Sequence, residues 1–454
     1  MIKLTKYQKQ KKMACKTITT RIFRLIVESV FALLMLISCQ ENGSKKQDKK
    51  NDVSAEFKKH TLSSGLVMAG YQGWFNTPED GEGRGWHHYE RRGKFEPGYC
   101  TIDLWPDMSE YEKQYETAFK FEDGTSATVF SPADESIVQL HFKWMKDYGI
   151  DGVFMQRFVS EIRNESGMKH FTGVLESASK AALEYDRTIA VMYDLSGITS
   201  DEIDIVINDW KNLLQKFGYD NRSKYGNYLF CNDHPLVAVW GVGFNDNRQY
   251  NLDDIEKLIN FLKSDEGGNC SVLLGVPTYW REQGSDCVKD EKLHEVMQMA
   301  DVVHPWFVGR FNEKGYDNFK SLIGDDQKWC DAHNLKYMPV VFPGFSWNNM
   351  LPLGRQSSTI PRNSGKFFWK QLSGAASEGA QMMYVAMFDE IDEGTAIFKI
   401  AKKVPIGESK FIPVDADIPT DHYLWLTGKA GQLLKNGVAL PAEKPEQEAK
   451  NSDD

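Results

Sequence analysis

Cysteine is scarce in this chain, seven among 454 residues, and no two stand in C-x-x-C spacing, so a structural zinc site is not expected. Positive charge is also in deficit: 54 Lys and Arg against 64 Asp and Glu leave a net charge of −10. A phosphate backbone selects the opposite balance, and no nucleic-acid partner is expected. No Gly-rich phosphate turn follows the first apolar segment, where Tyr71-Gln-Gly-Trp-Phe75 stands instead, which argues against a doubly wound nucleotide-binding sheet. The EF-hand pattern is absent too. The apolar stretch Leu25 to Ser38 falls short of the roughly 20 residues of a membrane span and contains Glu28.

That stretch reads as an address. Lys3 to Arg24 is strongly basic, Leu25 to Ser38 is mostly apolar, and the segment closes on Leu36-Ile37-Ser38-Cys39, the pattern of a secretory signal. The closing tetrad resembles the bacterial lipobox, which implies a lipoprotein anchored in the cell envelope through Cys39. Residues 1–39 are then a signal peptide, with Met13 as an alternative start, and the polar, Lys-rich residues 40–59 are a flexible tether. After processing five cysteines remain, at 100, 231, 270, 287 and 330, an odd number that cannot all pair within the chain.

Aromatics are plentiful: 12 Trp, 18 Tyr and 26 Phe. Most belong to the core, but the surplus suits a pocket in which sugar C–H faces stack on rings. Eight apolar segments recur, each followed by a helical or loop excursion: Leu66–Phe75, Gly149–Phe158, Thr188–Leu195, Leu236–Phe244, Ser271–Trp280, Val302–Val308, Tyr337–Trp347 and Gln381–Phe388. Amphipathic stretches with apolar residues at three- and four-residue spacing lie between them, for example Ser136–Tyr148, Phe171–Tyr185 and Ser200–Phe217. Alternating strand and helix implies a parallel sheet covered by helices, and eight units point to an α/β fold of the (β/α)8 TIM-barrel type, a single catalytic domain over residues 60–437. Residues 76–135 form a long rim loop containing Gly81-Glu-Gly-Arg-Gly-Trp-His-His-Tyr89, and Phe345–Pro361 a second. The last helix is expected over Asp421–Lys435, and residues 438–454 as a disordered acidic tail.

Residues at the C-terminal strand ends of such a barrel face the active site. Those ends carry Gln72, Trp74, Gln156, Arg157, Tyr193, Trp240, Tyr279, Trp306 and Trp347, which are candidate sugar contacts by position. His87, His88 and His304 are candidate hydroxyl partners or satisfied structural histidines. At the eighth strand, Tyr384-Val-Ala-Met-Phe-Asp-Glu-Ile-Asp-Glu-Gly-Thr395 delivers Asp389, Glu390, Asp392 and Glu393 together. Three readings are open for such a cluster: a solvated loop end, an acid/base pair, and hard oxygen ligands for a cation. Glycoside hydrolysis needs two carboxyl groups about one sugar, and glutamates three residues apart reach up to about 10 Å from each other.

Phe388-Asp-Glu-Ile-Asp-Glu-Gly-Thr395 resembles the Asn-Glu-Trp-His-Glu-Gly-Thr segment of glycoside hydrolase family 99, the endo-acting α-mannosidases and α-mannanases. The similarity extends to Gly70-Tyr-Gln-Gly-Trp-Phe75, to Asp151-Gly-Val-Phe154 and to the order of strands, covering most of residues 60–435 in outline, and is closest to the bacterial family 71/99-like proteins. The resemblance implies a (β/α)8 barrel, no cofactor and retention of configuration; no residue is assigned as a metal ligand. By motif position it implies that Glu390 is the general base acting on the sugar's own 2-hydroxyl, giving a 1,2-anhydro sugar. Glu393 is then the acid that protonates the leaving oxygen and later activates water. Asp389, Ile391 and Asp392 stand where the family shows Asn, Trp and His, so Asp389 and Asp392 join the candidate substrate contacts of a more acidic pocket. The expected partners are an α-mannan-like oligo- or polysaccharide and a membrane reached through the N-terminal lipid. The alternatives are a hydrolase of arabinoxylan-type pentose glycans, a surface glycan-binding lipoprotein without activity, and a two-lobed transport-binding protein.

Overall fold

A computed structural model of the chain describes residues 60–351 and 359–448. The signal peptide, Cys39, the tether, part of the second rim loop and the last six residues lie outside them.

Eight parallel strands run in sequence order: β1 (Val67–Tyr71), β2 (Gly152–Phe158), β3 (Thr188–Asp194), β4 (His234–Trp240), β5 (Ser271–Val276), β6 (Val302–Pro305), β7 (Lys336–Val341, with a break at Met338-Pro339) and β8 (Met383–Val385). Each pairs with the next, and β8 returns to β1 with Val67 opposite Met383. The break in β7 has a local cause, since Pro339 has no N–H for the ladder. The seam nevertheless closes: Met338 N–H donates to Val303 O at 2.9 Å, and Pro339 O accepts from Tyr384 N–H at 3.0 Å. A closed parallel sheet buries both faces, and for that reason β1 and β5 are apolar without alternation and buried at every position.

Helices α1 (Glu135–Tyr148), α2 (Glu165–Tyr185), α3 (Ile203–Phe217), α4 (Leu252–Leu262), α5 (Lys292–Gln298), α6 (Ser321–Ala332), α7 (Lys366–Ser377) and α8 (His422–Lys435) follow their strands in order. Local chemistry sets their ends. Asp134 caps α1 by accepting from Ser136 N–H at 2.9 Å, and left-handed Gly149 closes it. One barrel with eight strand–helix units stands in place of the two lobes of a transport-binding protein.

The strands are shorter at their C-terminal ends than the apolar runs suggest. Phe75, Phe244, Trp280 and Trp347 sit in rim loops, because Gly73 (φ 62°) and Gly241 (φ 117°) turn the chain out of β1 and β4 and Pro277 cannot continue β5. The 76–135 segment is a substructure rather than a bare loop. It carries an antiparallel hairpin, Tyr115–Lys120 with Ser126–Val129, over packed rings of Phe95, Trp105 and Phe119. His141 on α1 ties it to the barrel, its Nδ1 2.8 Å from Tyr71 Oη and its Nε2 2.8 Å from Tyr111 Oη. Burial lowers the His141 pKa to about 3, so the neutral ring donates from one nitrogen and accepts at the other.

The tail corrects its sequence reading. Val438 to Glu448 is seated on the helices: Trp369 Nε1–H donates to Pro441 O at 2.9 Å, and Gln447 Oε1 lies 2.8 Å from His422 Nδ1. Polar composition suggested disorder, but these partners hold the backbone down. Residues 449–454 lie outside the described residues.

The last helix depends on a close approach. A Cβ on Gly428 would stand 1.6 Å from Tyr148 O at the end of α1, whereas one on Gly173 in α2 would meet nothing within 4 Å. Gly428→Ala should therefore lower stability by about 1–3 kcal/mol through forced displacement of α8, and Gly173→Ala should be neutral or stabilising by about 0.5–1 kcal/mol. Thermal unfolding of the two variants checks this, and equal midpoints would show that α8 is not packed this way.

Candidate active site

Beyond β8 the chain crosses the barrel mouth as Asp389–Thr395 and is pinned by its own carbonyls. Glu390 O accepts from Ala396 N–H at 2.9 Å, Ile391 O from Asp103 and Leu104 N–H at 2.9 and 3.1 Å, and Glu393 O from Ser346 N–H at 2.8 Å. Ile391, where the family pattern has Trp, is fully buried beneath the turn. The two rim segments are tied together there by buried Asp103, which accepts from Asn349 N–H at 2.8 Å and from the Ser346 hydroxyl.

The four carboxyl groups have different surroundings. Asp389 is fully buried and uses both oxygens on the backbone of the β1 turn, accepting from Gln72 N–H at 2.8 Å and Gly73 N–H at 2.9 Å. It thereby joins β8 to β1, a structural role beyond the sugar contact expected of it. Glu390, 4% exposed, accepts from Gln72 Nε2–H on one oxygen and the Thr395 hydroxyl on the other. Asp392, 1% exposed, has Oδ2 3.1 Å from His88 Nδ1, while its Oδ1 has no partner. Glu393 is half-buried, with the Trp347 side chain as its hydrogen-bonding neighbour.

Crowding and burial raise every one of these pKa values. Burial lifts Asp389 and Asp392 to about 7. Glu393 is also raised to about 7, by burial first and then by the charges of Asp392 and Asp194. Glu390 is pushed well above the ordinary range by burial, Glu393 and Asp392, against the pull of its two donors. A cluster of this kind holds protons at neutral pH, as an acid catalyst requires.

The remaining strand-end residues divide. Gln72 and Gln156 are at the site: Gln156 Nε2–H donates to Tyr384 Oη at 3.0 Å, and the Glu390 charge acts on that same phenol. Trp74 stacks on His88 with ring centres 3.8 Å apart, and Trp240 packs edge-on to Trp306. His304 Nδ1 lies 3.0 Å from Met338 O, against the Tyr384 ring. Gln72 Oε1, Trp74 Nε1, Trp240 Nε1, His304 Nε2 and Asp392 Oδ1 are all buried without a partner.

Three candidates are elsewhere. Arg157 and Tyr193 are 1% and 0% exposed and both bind Asp209 on α3, Arg157 Nε–H at 2.6 Å and Tyr193 O–H at 2.7 Å. They fasten strands to helix, and Arg157 Nη1 is left buried without a partner. A buried cation and its counter-ion must be matched inside the protein, and Asp209, which supplies the match, has no signature in the sequence. Tyr279 lines a separate cavity of about 600 Å³ with Arg281 and Arg310, to which none of the four carboxylates contributes. Conversely, Asp194, Thr395, Asp103 and Tyr384 belong to the site without having been selected. Asp194 is a polar strand end and Tyr384 and Thr395 bound the acidic motif, so each carried a signal; Asp103 carried none.

No family model matches the chain. It is 21% identical over 353 residues to glycoprotein endo-α-1,2-mannosidase of Mus musculus, spanning 74% of this chain and 68% of that protein. It is 28% identical over 122 residues to a human glycoprotein endo-α-1,2-mannosidase-like protein, about a quarter of whose length the chain spans (26% of each). Among solved structures, the family 99 endo-α-mannosidase of Bacteroides thetaiotaomicron superposes with a TM-score of 0.60 at 14% identity, covering 83% of this chain and 99% of that one. The fold is thus shared with family 99, and the family 99-like reading of the sequence stands.

Raised carboxyl pKa values have a signed consequence. An unfolded Glu titrates near about 4.3 and Glu393 in the fold near about 7, so between these values the native state holds the extra proton and loses stability as pH rises. Glu393→Gln does not titrate. Its melting midpoint should gain on that of the parent between pH 4.5 and pH 8, and a gap that narrows instead would contradict the raised value.

Proposed function

We propose that this chain is a glycoside hydrolase of the endo-α-mannosidase type that cleaves an α-linked, α-mannan-like glycan by a two-carboxylate retaining mechanism. The observation that carries this reading is the pairing of Glu390 and Glu393 in one buried turn at a barrel mouth, with unequal partners. Glu390 receives two hydrogen-bond donors, which act for its anion against the burial and the Glu393 and Asp392 charges that raise its pKa; its part as base follows from its motif position. Glu393 is more open and its pKa of about 7 suits a group that gives up a proton and takes it back.

The sequence of events follows from these roles. Glu390 takes the proton of the substrate 2-hydroxyl as that oxygen attacks C1, the glycosidic bond breaks, and the leaving oxygen takes the proton of Glu393. The 1,2-anhydro sugar is then opened at C1 by water, which gives its proton to Glu393, while Glu390 returns a proton to O2. Both carboxyl groups end as they began. The unpartnered atoms of Gln72, Trp74, Trp240, His304 and Asp392 supply donors and acceptors for sugar hydroxyls, and the Trp240–Trp306 pair supplies an aromatic wall.

Glu390→Gln and Glu393→Gln should each reduce turnover of α-mannan oligosaccharides by about 10²–10⁴-fold with the circular dichroism spectrum retained. Full activity in either variant sinks the assignment. In a chromatographic screen, product from arabinoxylan alone would move the substrate to pentose glycans, and binding without product would favour a non-catalytic glycan-binding protein.

The lipobox-like Leu36-Ile37-Ser38-Cys39 supports export and lipid anchoring in the cell envelope. Cys39→Ser should abolish incorporation of labelled palmitate and release the protein from the membrane fraction; a labelled variant would refute the anchor.

A further inference from the structure

Two histidines and a glutamate beside the mouth are used by no step above. His87 and His88 lie on the 76–135 segment, and Glu161 on the helical turn Val159–Ile162 after β2. One ring nitrogen of each histidine and one oxygen of Glu161 all lie within 4.8 Å of one another. His87 Nε2 stands 3.3 Å from Glu161 Oε2, and its contact with that carboxylate holds Glu161 below the usual carboxylate range. In a tetrahedral zinc site with bonds of about 2.0–2.1 Å, neighbouring ligand atoms stand about 3.3 Å apart.

His88 is oriented as metal-bound imidazoles are. Its Nδ1 faces the Asp392 carboxylate at 3.1 Å, leaving Nε2 for a ligand role, the carboxylate–histidine relay that commonly backs a metal. Trp74 stacked on the ring fixes its plane. The His88 backbone is left-handed at φ 60°, an arrangement a non-glycine residue adopts where surrounding contacts enforce it.

The local charge suits a cation. Arg84 is bonded to Glu161 Oε2, the oxygen that also faces His87, and the second carboxylate oxygen remains for a cation. Asp80 and Glu82 also act on Arg84, and Asp392 lies behind His88, so acidic groups outnumber the basic ones. Among the described residues this is the group of three that can hold a metal ion, and the carboxylates of the 389–393 turn are not part of it.

We propose that His87, His88 and Glu161 bind a first-row divalent cation, with zinc the best match to two imidazoles and one carboxylate. The ion clips the 76–135 segment to the end of β2 and, through His88, steadies Asp392 at the catalytic turn.

The test uses the full chain, stripped with a chelator, given zinc chloride, desalted and assayed for metal by mass spectrometry, with calorimetric titration alongside. The expected result is a single zinc ion per chain, retained by His333→Ala just past α6, lost in His87→Ala and in the isosteric Glu161→Gln, and accompanied by a higher melting midpoint in the parent and in His333→Ala but not in the other two. No stoichiometric zinc in the parent, or undiminished zinc in a folded Glu161→Gln protein, overturns the proposal. Metal content is read without substrate, so this outcome is separate from that of the glycosidase assays.

Discussion

The contact on which the site depends is the one between Asp389 and the backbone N–H groups of Gln72 and Gly73. It joins the two ends of the chain's barrel at the level of the mouth, where β8 meets β1. A carboxylate that receives two short backbone donors in a dry interior is held firmly. Because of it, Gln72 presents its side-chain amide to Glu390, and the turn that follows delivers Asp392 and Glu393 to the same space. An amide in place of Asp389 would put an N–H₂ group against one of those backbone donors. In this chain the carboxylate that departs from the family 99 pattern is used by the β1 turn.

The same region concentrates charge in a low-dielectric setting, which is costly unless used or matched. The barrel shows both solutions. At the ends of β2 and β3, Arg157 and Tyr193 surround Asp209, and the charge is neutralised within the framework. At the end of β8, among the described residues, no Lys or Arg pairs with Asp389, Glu390, Asp392 or Glu393, and their pKa values rise instead. Perturbed carboxyls in a cleft, unlike the paired ion inside the wall, mark a place where protons move.

Around this turn the 76–135 segment works as part of the site. It supplies His88 to Asp392 and, through Asp103, links the motif to the second rim segment. The family pattern has an imidazole within the motif at the position of Asp392. Here a ring arrives from the loop, held flat on Trp74 and facing Asp392.

What the sequence determined by itself was the periodic part of the molecule. Parallel strands buried on both faces must be apolar throughout, amphipathic helices must repeat near 3.6 residues, and glycines and prolines must stand where strands end, so eight units, their order and the acidic turn after the eighth strand were all readable as local pattern. The motif also marked Glu390 and Glu393. Tertiary structure alone decided which way each strand-end side chain points. Arg157 and Tyr193 stand at the right level of the barrel yet turn outward to Asp209, Tyr279 opens to a different cavity, and Asp389 is consumed by backbone donors. Residues 438–448, polar enough to read as disordered, are held by Trp369 and His422. These outcomes depend on partners tens to hundreds of residues away, and a hydrogen bond or ion pair across that distance leaves no periodic trace in the chain.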